Sequence, residues 1–359
     1  MTGNKGEWSE LYALFKLAAD GRLYAADENT EKINTIYYDI LKIIRKQKND
    51  NLHYIRDGNI RILSEKTGTE IAIVPISEFE KNAEILLSAV KSVKSKNGSF
   101  EIPGIGTFIS KIKCNATKAK STDKADITLV VHDATTGSRP TLGFSIKSQL
   151  GSPSTLFIAS CATNLVFDLT GHFLSEEEKE TFHDFKFFKD KFKYLDSLGT
   201  GLKFVGADND VFASNLMLVD TFMPQILSSM TENYFRGKAV KVSDLTDLCT
   251  VENICCVTAS AAKTFYTFKI KELLTDIALG MTPASPWNGR YDATGGYIIV
   301  KDSGDILCYH IYNRNEFREY LYKNTRFDTP SQTKHKFGTI ENIGEGQKLK
   351  LNMQIRFLK

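Results

Sequence analysis

The chain has 359 residues, 42% of them hydrophobic and 25% charged, with only 8 prolines. This profile excludes disordered and collagen-like proteins, and the length suits about two domains or one large domain with insertions. Its 46 Lys and Arg against 43 Asp and Glu leave a formal charge of +3, too small a surplus to name a polyanionic partner.

From the N-terminus, Glu7 to Ala19 sets Trp8, Leu11, Tyr12, Leu14, Phe15 and Ala18 at helical spacing, and Asp20-Gly21 ends the helix. Arg22–Ala26, Thr35–Arg45, His53–Leu63 and Glu70–Pro75 are β-favouring runs separated by Asp-Gly, Asn-Asp and Thr-Gly turns, which predicts an antiparallel insertion. Ser77 is expected to cap a helix reaching about Val93, with Glu78 and Glu80 in its first turn, where the helix dipole favours anions. Ala125–Asp133 and Thr141–Lys147 form a hairpin across the turn-forming Ala134–Pro140. A helix near Pro153, a strand at Thr163–Leu169, helices at Glu176–Leu195 and Asp208–Tyr234, and strands at Gly296–Lys301, Ile306–Ile311 and Lys348–Phe357 complete a mixed α/β fold.

Strand alternation puts Asp126 on one face with Thr128, Val130 and His132, and Ser145 on one face with Lys147 and Gln149. The opposite positions, among them Ile127, Leu129, Val131, Phe144 and Ile146, are apolar. A carboxylate and a lysine on adjacent strands suit metal-dependent phosphodiester hydrolysis. Asp126 would bind Mg²⁺ through oxygen, and Lys147 would lower the pKa of an attacking water or stabilise the developing phosphorane charge. Spacing alone favours an exposed Asp–Lys cross-strand pair, since such pairs are common and weak. No CxxC pattern joins the six cysteines, so reduced, mostly buried thiols are expected. The six histidines show no HxxxH spacing. No nucleotide-binding fingerprint or P-loop occurs, so no organic cofactor is expected.

Asp126, eighteen residues, then Ser145-Ile146-Lys147 resembles the PD-(D/E)XK nuclease core, with Ser145 where an acidic metal ligand is usual. Three longer blocks are similar to the HpaII family of type II restriction endonucleases: KGEWSELYALFKLAADGRLYAAD at the start, Phe144–Asn164 in the centre, and Thr325–Gly338 with Leu351–Phe357 at the end. The resemblance implies a restriction-endonuclease-like α/β core and Mg²⁺-dependent cleavage of duplex DNA at a short palindrome, CCGG. Asp126 would then be the metal ligand and Lys147 the catalytic lysine, supported by Ser145 and Gln149. Glu7 and Glu10, three apart on one helix face, are candidates for the missing carboxylate, with helix-dipole and solvent roles open to each. Asp133 is a lesser candidate, because it lies on the opposite strand face from Asp126.

For recognition, Arg326, Asp328, Ser331, Gln332, Lys334 and His335 lie in a stretch bent by Pro330 and carry the groups that meet guanine and cytosine edges. A surface loop touching only phosphates is the blander alternative. Ser148, Gln149, Ser152, Ser154 and Thr155 sit where a helix start would hold phosphate, and the lysines between Lys111 and Lys124 would track the DNA backbone. The expected organisation is a first core helix with a β insertion (1–100), a catalytic core (101–240) and a C-terminal recognition region (241–359). No segment has the roughly 18 apolar residues of a membrane span, and Met1–Glu10 lacks a signal-peptide core, so a cytoplasmic protein is expected. A palindromic target leaves a homodimer open. A nicking or repair enzyme, or a non-catalytic DNA-binding module, is the alternative.

Overall fold

The computed structural model describes residues 1–47, 49–93, 98–114, 125–134 and 136–358. In chain order the first stretch contains β1 (Thr2–Gly3), α1 (Lys5–Asp20), β2 (Arg22–Ala26), β3 (Lys32–Lys46), β4 (Asn51–Asp57), β5 (Asn59–Ser64), β6 (Glu70–Val74), α2 (Ile76–Ser92), β7 (Phe100–Glu101), α3 (Ile105–Lys111), β8 (Ile127–His132) and β9 (Thr141–Ser148). Next come β10 (Thr155–Phe157), β11 (Leu165–Gly171), α4 (Glu176–Asp184), α5 (Phe188–Ser197), β12 (Thr200–Ala207), α6 (Asp210–Val219), α7 (Met223–Phe235), α8 (Val242–Glu252) and α9 (Ala259–Leu279). The last are β13 (Gly296–Val300), β14 (Ile306–His310), α10 (Arg314–Lys323), β15 (Thr325–Asp328), α11 (Gln332–His335), β16 (Ile340–Ile343), β17 (Gly346–Leu351) and β18 (Gln354–Phe357). Among the described residues, no helix is long and apolar enough to cross a membrane.

Two compact units emerge: Met1–Ser154 with Tyr291–Tyr320, and Thr155–Arg290 with Leu321–Leu358. They cut across a three-part division at residues 100 and 240, because strands distant in sequence share one sheet. In the first unit nine strands run in the order β2-β14-β13-β9-β8-β3-β4-β5-β6, and an added β2–β3 pairing closes six of them into a ring. Neighbours β9 and β13 run parallel, as do β14 and β2. The antiparallel strands β3 to β6 are therefore not a separate insertion, since β3 pairs directly with β8.

Helix α1 begins with a capping box, in which Asn4 Oδ1 accepts from the Glu7 N–H (3.0 Å) and Glu7 Oε2 from the Asn4 N–H (2.9 Å). Gly21 ends it in the left-handed conformation, φ 67°. Trp8, Leu11, Leu14 and Phe15 are fully buried, each contributing about 1.5–3 kcal/mol of burial free energy. The Phe15, Phe79 and Phe108 rings meet edge to face, with centroids 5.0–6.1 Å apart, and join α1 to α2 and α3.

Several elements depart from the sequence reading. His53–Leu63 is two strands, turned at Gly58 with φ 66°. Pro75, not Ser77, is the N-cap of α2. The expected helix near Pro153 is instead β10, paired with β18. Glu176–Leu195 breaks between α4 and α5 where Phe185 and Phe187 are extended, and Asp208–Tyr234 breaks at the extended Asp220 ahead of Pro224. Lys348–Phe357 divides into β17 and β18, which join different sheets. Buried Asn352 sits between them, its amide nitrogen donating to Ser160 O (2.8 Å) and Asn164 Oδ1 (2.6 Å). All six cysteines are free, with Cys114, Cys249 and Cys308 buried but Cys161 and Cys256 exposed.

The second unit carries a four-stranded sheet, β12-β11-β17-β16, and a three-stranded sheet, β10-β18-β15. Helices α6 to α9 pack together with the first of these and with β10. Sequence periodicity missed β12, α8 and α9. Every residue from Leu273 to Leu279 is buried, so the end of α9 offers no polar face to reveal its period.

Candidate active site

The register of the β8–β9 hairpin decides what faces what. Asp126 donates its N–H to Phe144 O (2.8 Å) and Ile127 pairs with Phe144, which sets Asp126 opposite Ser145. On the other edge of β9, Ser145 pairs with Tyr297 of β13. The Ser145 hydroxyl donates to Asp126 Oδ2 (3.1 Å), and the Ile146 N–H donates to the same oxygen (2.6 Å). Both hydrogen bonds therefore orient the carboxylate through Oδ2. Ser145 is 4% exposed and acts as a donor that fixes Asp126.

Electrostatics couples Asp126 to Lys147. Burial pushes the Asp126 carboxyl pKa up, opposed by the Ile146 N–H, the Lys147 ammonium, the Ser145 hydroxyl and the buried Arg45 guanidinium. Burial lowers the Lys147 ammonium pKa, opposed by the Asp126 and Glu10 carboxylates. Lys147 Nζ also lies 5.1 Å from the centroid of the Tyr297 ring, within the range of a cation–π contact. Tyr297 is fully buried and its hydroxyl is held well above the usual phenol pKa by burial. The hairpin thus sets an acid, a lysine and a supporting hydroxyl on neighbouring strands.

The two glutamates of α1 separate clearly. Glu7 closes the capping box, whereas Glu10 lines a cleft of about 350 Å³ with Lys147, Ser148, Ser152, Ser154 and the start of α1 at Asn4–Gly6. Ser148 Oγ lies 2.7 Å from Ser9 Oγ and accepts from the Leu150 N–H (3.1 Å), tying the end of β9 to α1. At Gly151 a Cβ would sit 3.3 Å from Lys5 Cβ, so glycine suits this close approach. Ser152 and Ser154 reach the cleft, but on an irregular segment before β10. The helix N-terminus beside them belongs to α1. Gln149 is exposed beyond β9 and does not line the cleft. Buried Asp133 accepts from the Thr136 N–H (3.4 Å) in the hairpin turn. Lys118, Lys120 and Lys124 lie outside the described residues.

In the second unit the recognition candidates form ordered structure and not a loop. Arg326 and Asp328 lie on β15, directly opposite Arg356 and Gln354 of β18. Asp328 lies 3.4 Å from Arg326 Nη1 and 3.0 Å from Arg356 Nε, and accepts from Gln354 Nε2 (3.0 Å). Ser331 caps α11, accepting from the Lys334 N–H (3.4 Å). Gln332 is half-buried, Lys334 exposed, and His335 buried, with burial lowering its pKa ahead of the effect of Lys334. Gln354 and Arg356 are absent from the sequence-based candidates, although their alternation in LNMQIRF puts both on one strand face.

A family model described as "HpaII restriction endonuclease" matches residues 4–357. A protein named "Type II restriction enzyme HpaII", from Haemophilus parainfluenzae, is 45% identical over 357 residues, 99% of each chain. No solved structure matches.

Proposed function

The chain belongs to the HpaII restriction endonuclease family, and from that premise we propose that it is a Mg²⁺-dependent type II endonuclease that cleaves both strands of duplex DNA at CCGG. The observation that carries the reading is the Asp126–Ser145–Lys147 arrangement on the β8–β9 hairpin, beside a cleft that also contains Glu10. We take this hairpin, with parallel β13 on its far side, as a PD-(D/E)XK core.

A divalent cation fits the donors present. Asp126 accepts its two hydrogen bonds through Oδ2, which leaves Oδ1 for a metal, and the Glu10 carboxylate acts on the same lysine. Among the described residues no three His, Cys, Asp or Glu side chains gather at one point. So sparse a set suits Mg²⁺, which keeps several waters and takes the rest of its shell from substrate phosphate. When bound, the metal would polarise the scissile phosphate and acidify water.

The chain's own groups supply the remainder. Lys147, with its ammonium pKa lowered by burial, either takes a proton from the attacking water at Nζ or, protonated, stabilises the charge developing on the phosphoryl oxygens. Ser145 and the Ile146 N–H hold Asp126 in one orientation through that step. Lys5, Ser152 and Ser154, beside the positive end of α1, bind and orient the DNA backbone. Base reading falls to β15, α11 and β18. Two copies acting on a palindrome would bring one such centre to each strand, and the reaction belongs in the cytoplasm with the DNA. Digestion of a sequenced plasmid with Mg²⁺ tests this: ends mapping to CCGG on both strands support it, while ends elsewhere, or no cleavage, refute it.

A further inference from the structure

We propose that Arg326 and Arg356 are a matched pair of guanine-reading side chains, that Asp328 is the residue positioning both, and that Gln354 contributes an acceptor for cytosine. This rests on the reading of the chain as an endonuclease for a G·C site. The three-stranded sheet β10-β18-β15 has two chemically distinct faces. Thr325, Phe327, Ile355 and Phe357 are buried, while Arg326, Asp328, Gln354 and Arg356 are each about a third exposed or less. One face builds the core, and the other presents charge and amide.

Folding alone does not account for that second face. Arg326 and Arg356 are direct cross-strand partners, and like charges in that position are destabilising. Among the described residues a single carboxylate, Asp328, offsets both guanidiniums, at 3.4 Å from Arg326 Nη1 and 3.0 Å from Arg356 Nε. The cluster therefore keeps one positive charge in excess. Asp328 accepts a hydrogen bond from Arg326 Nη1 and lies 3.0 Å from Arg356 Nε as an ion pair without hydrogen-bond geometry, leaving N–H donors on both arginines. Gln354 donates its amide N–H to Asp328 (3.0 Å), which turns its carbonyl oxygen into an available acceptor.

That array matches the chemistry of a two-base-pair G·C half-site. Each half of CCGG presents two guanines, whose O6 and N7 acceptors take a guanidinium in bidentate fashion, and cytosine N4–H donors that need an acceptor. Two arginines and one amide carbonyl supply these groups. Asp328 is thereby a positioning residue, a different role from the base contact expected from sequence.

The test is competition binding of the full-length protein in Ca²⁺, measured by fluorescence anisotropy. The probes are a CCGG duplex, the same duplex with 7-deazaguanine at either guanine of each half-site, and a scrambled duplex of equal composition. Arg326→Lys and Arg356→Lys should each lower the CCGG-to-scrambled affinity ratio about 10–100-fold. Each variant should also lose its sensitivity to 7-deazaguanine at one guanine, a different one for each arginine. Asp328→Asn, which leaves the two facing guanidiniums without their counter-charge, should lower the ratio and blunt both sensitivities in a protein that is still folded at the assay temperature, with a lowered melting temperature. Equal weakening on both duplexes would mark the arginines as phosphate contacts and overturn the proposal, as would retained 7-deazaguanine sensitivity in both variants. If the wild type prefers another guanine-containing sequence, only the CCGG reading fails, and the same variants are judged on the mapped site. A guanine-free target overturns the pair itself.

Discussion

Glu7 and Glu10 lie one helical turn apart on α1, yet they are expected to respond oppositely to substitution. Glu10→Gln removes a carboxylate that lines the cleft and favours the charged form of Lys147. In an effective dielectric of about 20, the attraction between two unit charges across a small cleft amounts to about 2–3 kcal/mol. If the full term is expressed in the transition state, the chemical step slows by about 30–150-fold. Glu7→Gln leaves the charge around Lys147 intact, and glutamine serves the capping box as glutamate does. Its effect on cleavage should stay within about twofold, and its stability should change by less than about 1 kcal/mol. Single-turnover cleavage of a duplex oligonucleotide at saturating Mg²⁺, with thermal melts alongside, separates the two. A large rate loss in Glu7→Gln with a silent Glu10→Gln would refute this placement of the carboxylates.

Three other expectations follow from particular contacts. At Gly296, with φ 100°, an added Cβ would come within 2.0 Å of Tyr309 O across the β13–β14 ladder. Gly296→Ala should therefore cost about 3 kcal/mol or more, lowering the melting temperature by roughly 6–12 °C; an unchanged melt contradicts it. Buried His310, whose Nδ1 accepts from the Tyr312 N–H (3.1 Å), has its pKa lowered by burial to about 4. The unfolded chain then binds the proton more readily, so stability is complete above about pH 6.5 and falls by about 3 kcal/mol as pH drops towards 4. His310→Phe, which keeps an aromatic ring against Tyr38, should flatten that acid slope in pH-dependent melts, and an identical slope would remove His310 as its source. Ser145→Ala removes one of two donors to Asp126 Oδ2 and should slow cleavage about 10-fold while binding persists; full activity would show that the Ile146 N–H orients the carboxylate unaided.

Much of the β8–β9 hairpin is legible in sequence because its signals are local. Alternation across Ile127–His132 and Thr141–Ser148, with turn residues between, defines two adjacent strands. Once they pair, Asp126 must approach Ser145 and Lys147 must lie two residues further on. Helix α1 is legible for a similar reason, as an apolar stripe from Glu7 to Ala19 ended by Asp20-Gly21, although its Asn4 cap lies ahead of that stripe. Pairings between distant segments are not. Leu142 to Ile146 are all buried because β13, some 150 residues away, covers the other edge of β9 and the ring closes through β2 and β3. Ser152-Pro153 resembles a helix start locally, but pairing with β18 draws the following residues into β10. Arg356 and Gln354 acquire meaning only from the β15–β18 register, which brings them to Asp328. Glu7 and Glu10 share one helix face in sequence, and only the position of the cleft distinguishes them.

The most direct test of the centre on β8 and β9 compares Asp126→Asn and Lys147→Met with wild type on a CCGG duplex, measuring binding in Ca²⁺ and single-turnover cleavage in Mg²⁺. Both variants should melt as wild type does and bind the duplex selectively, while cleavage falls by about a thousandfold or more. Cleavage by either folded variant at close to the wild-type rate would contradict the assignment.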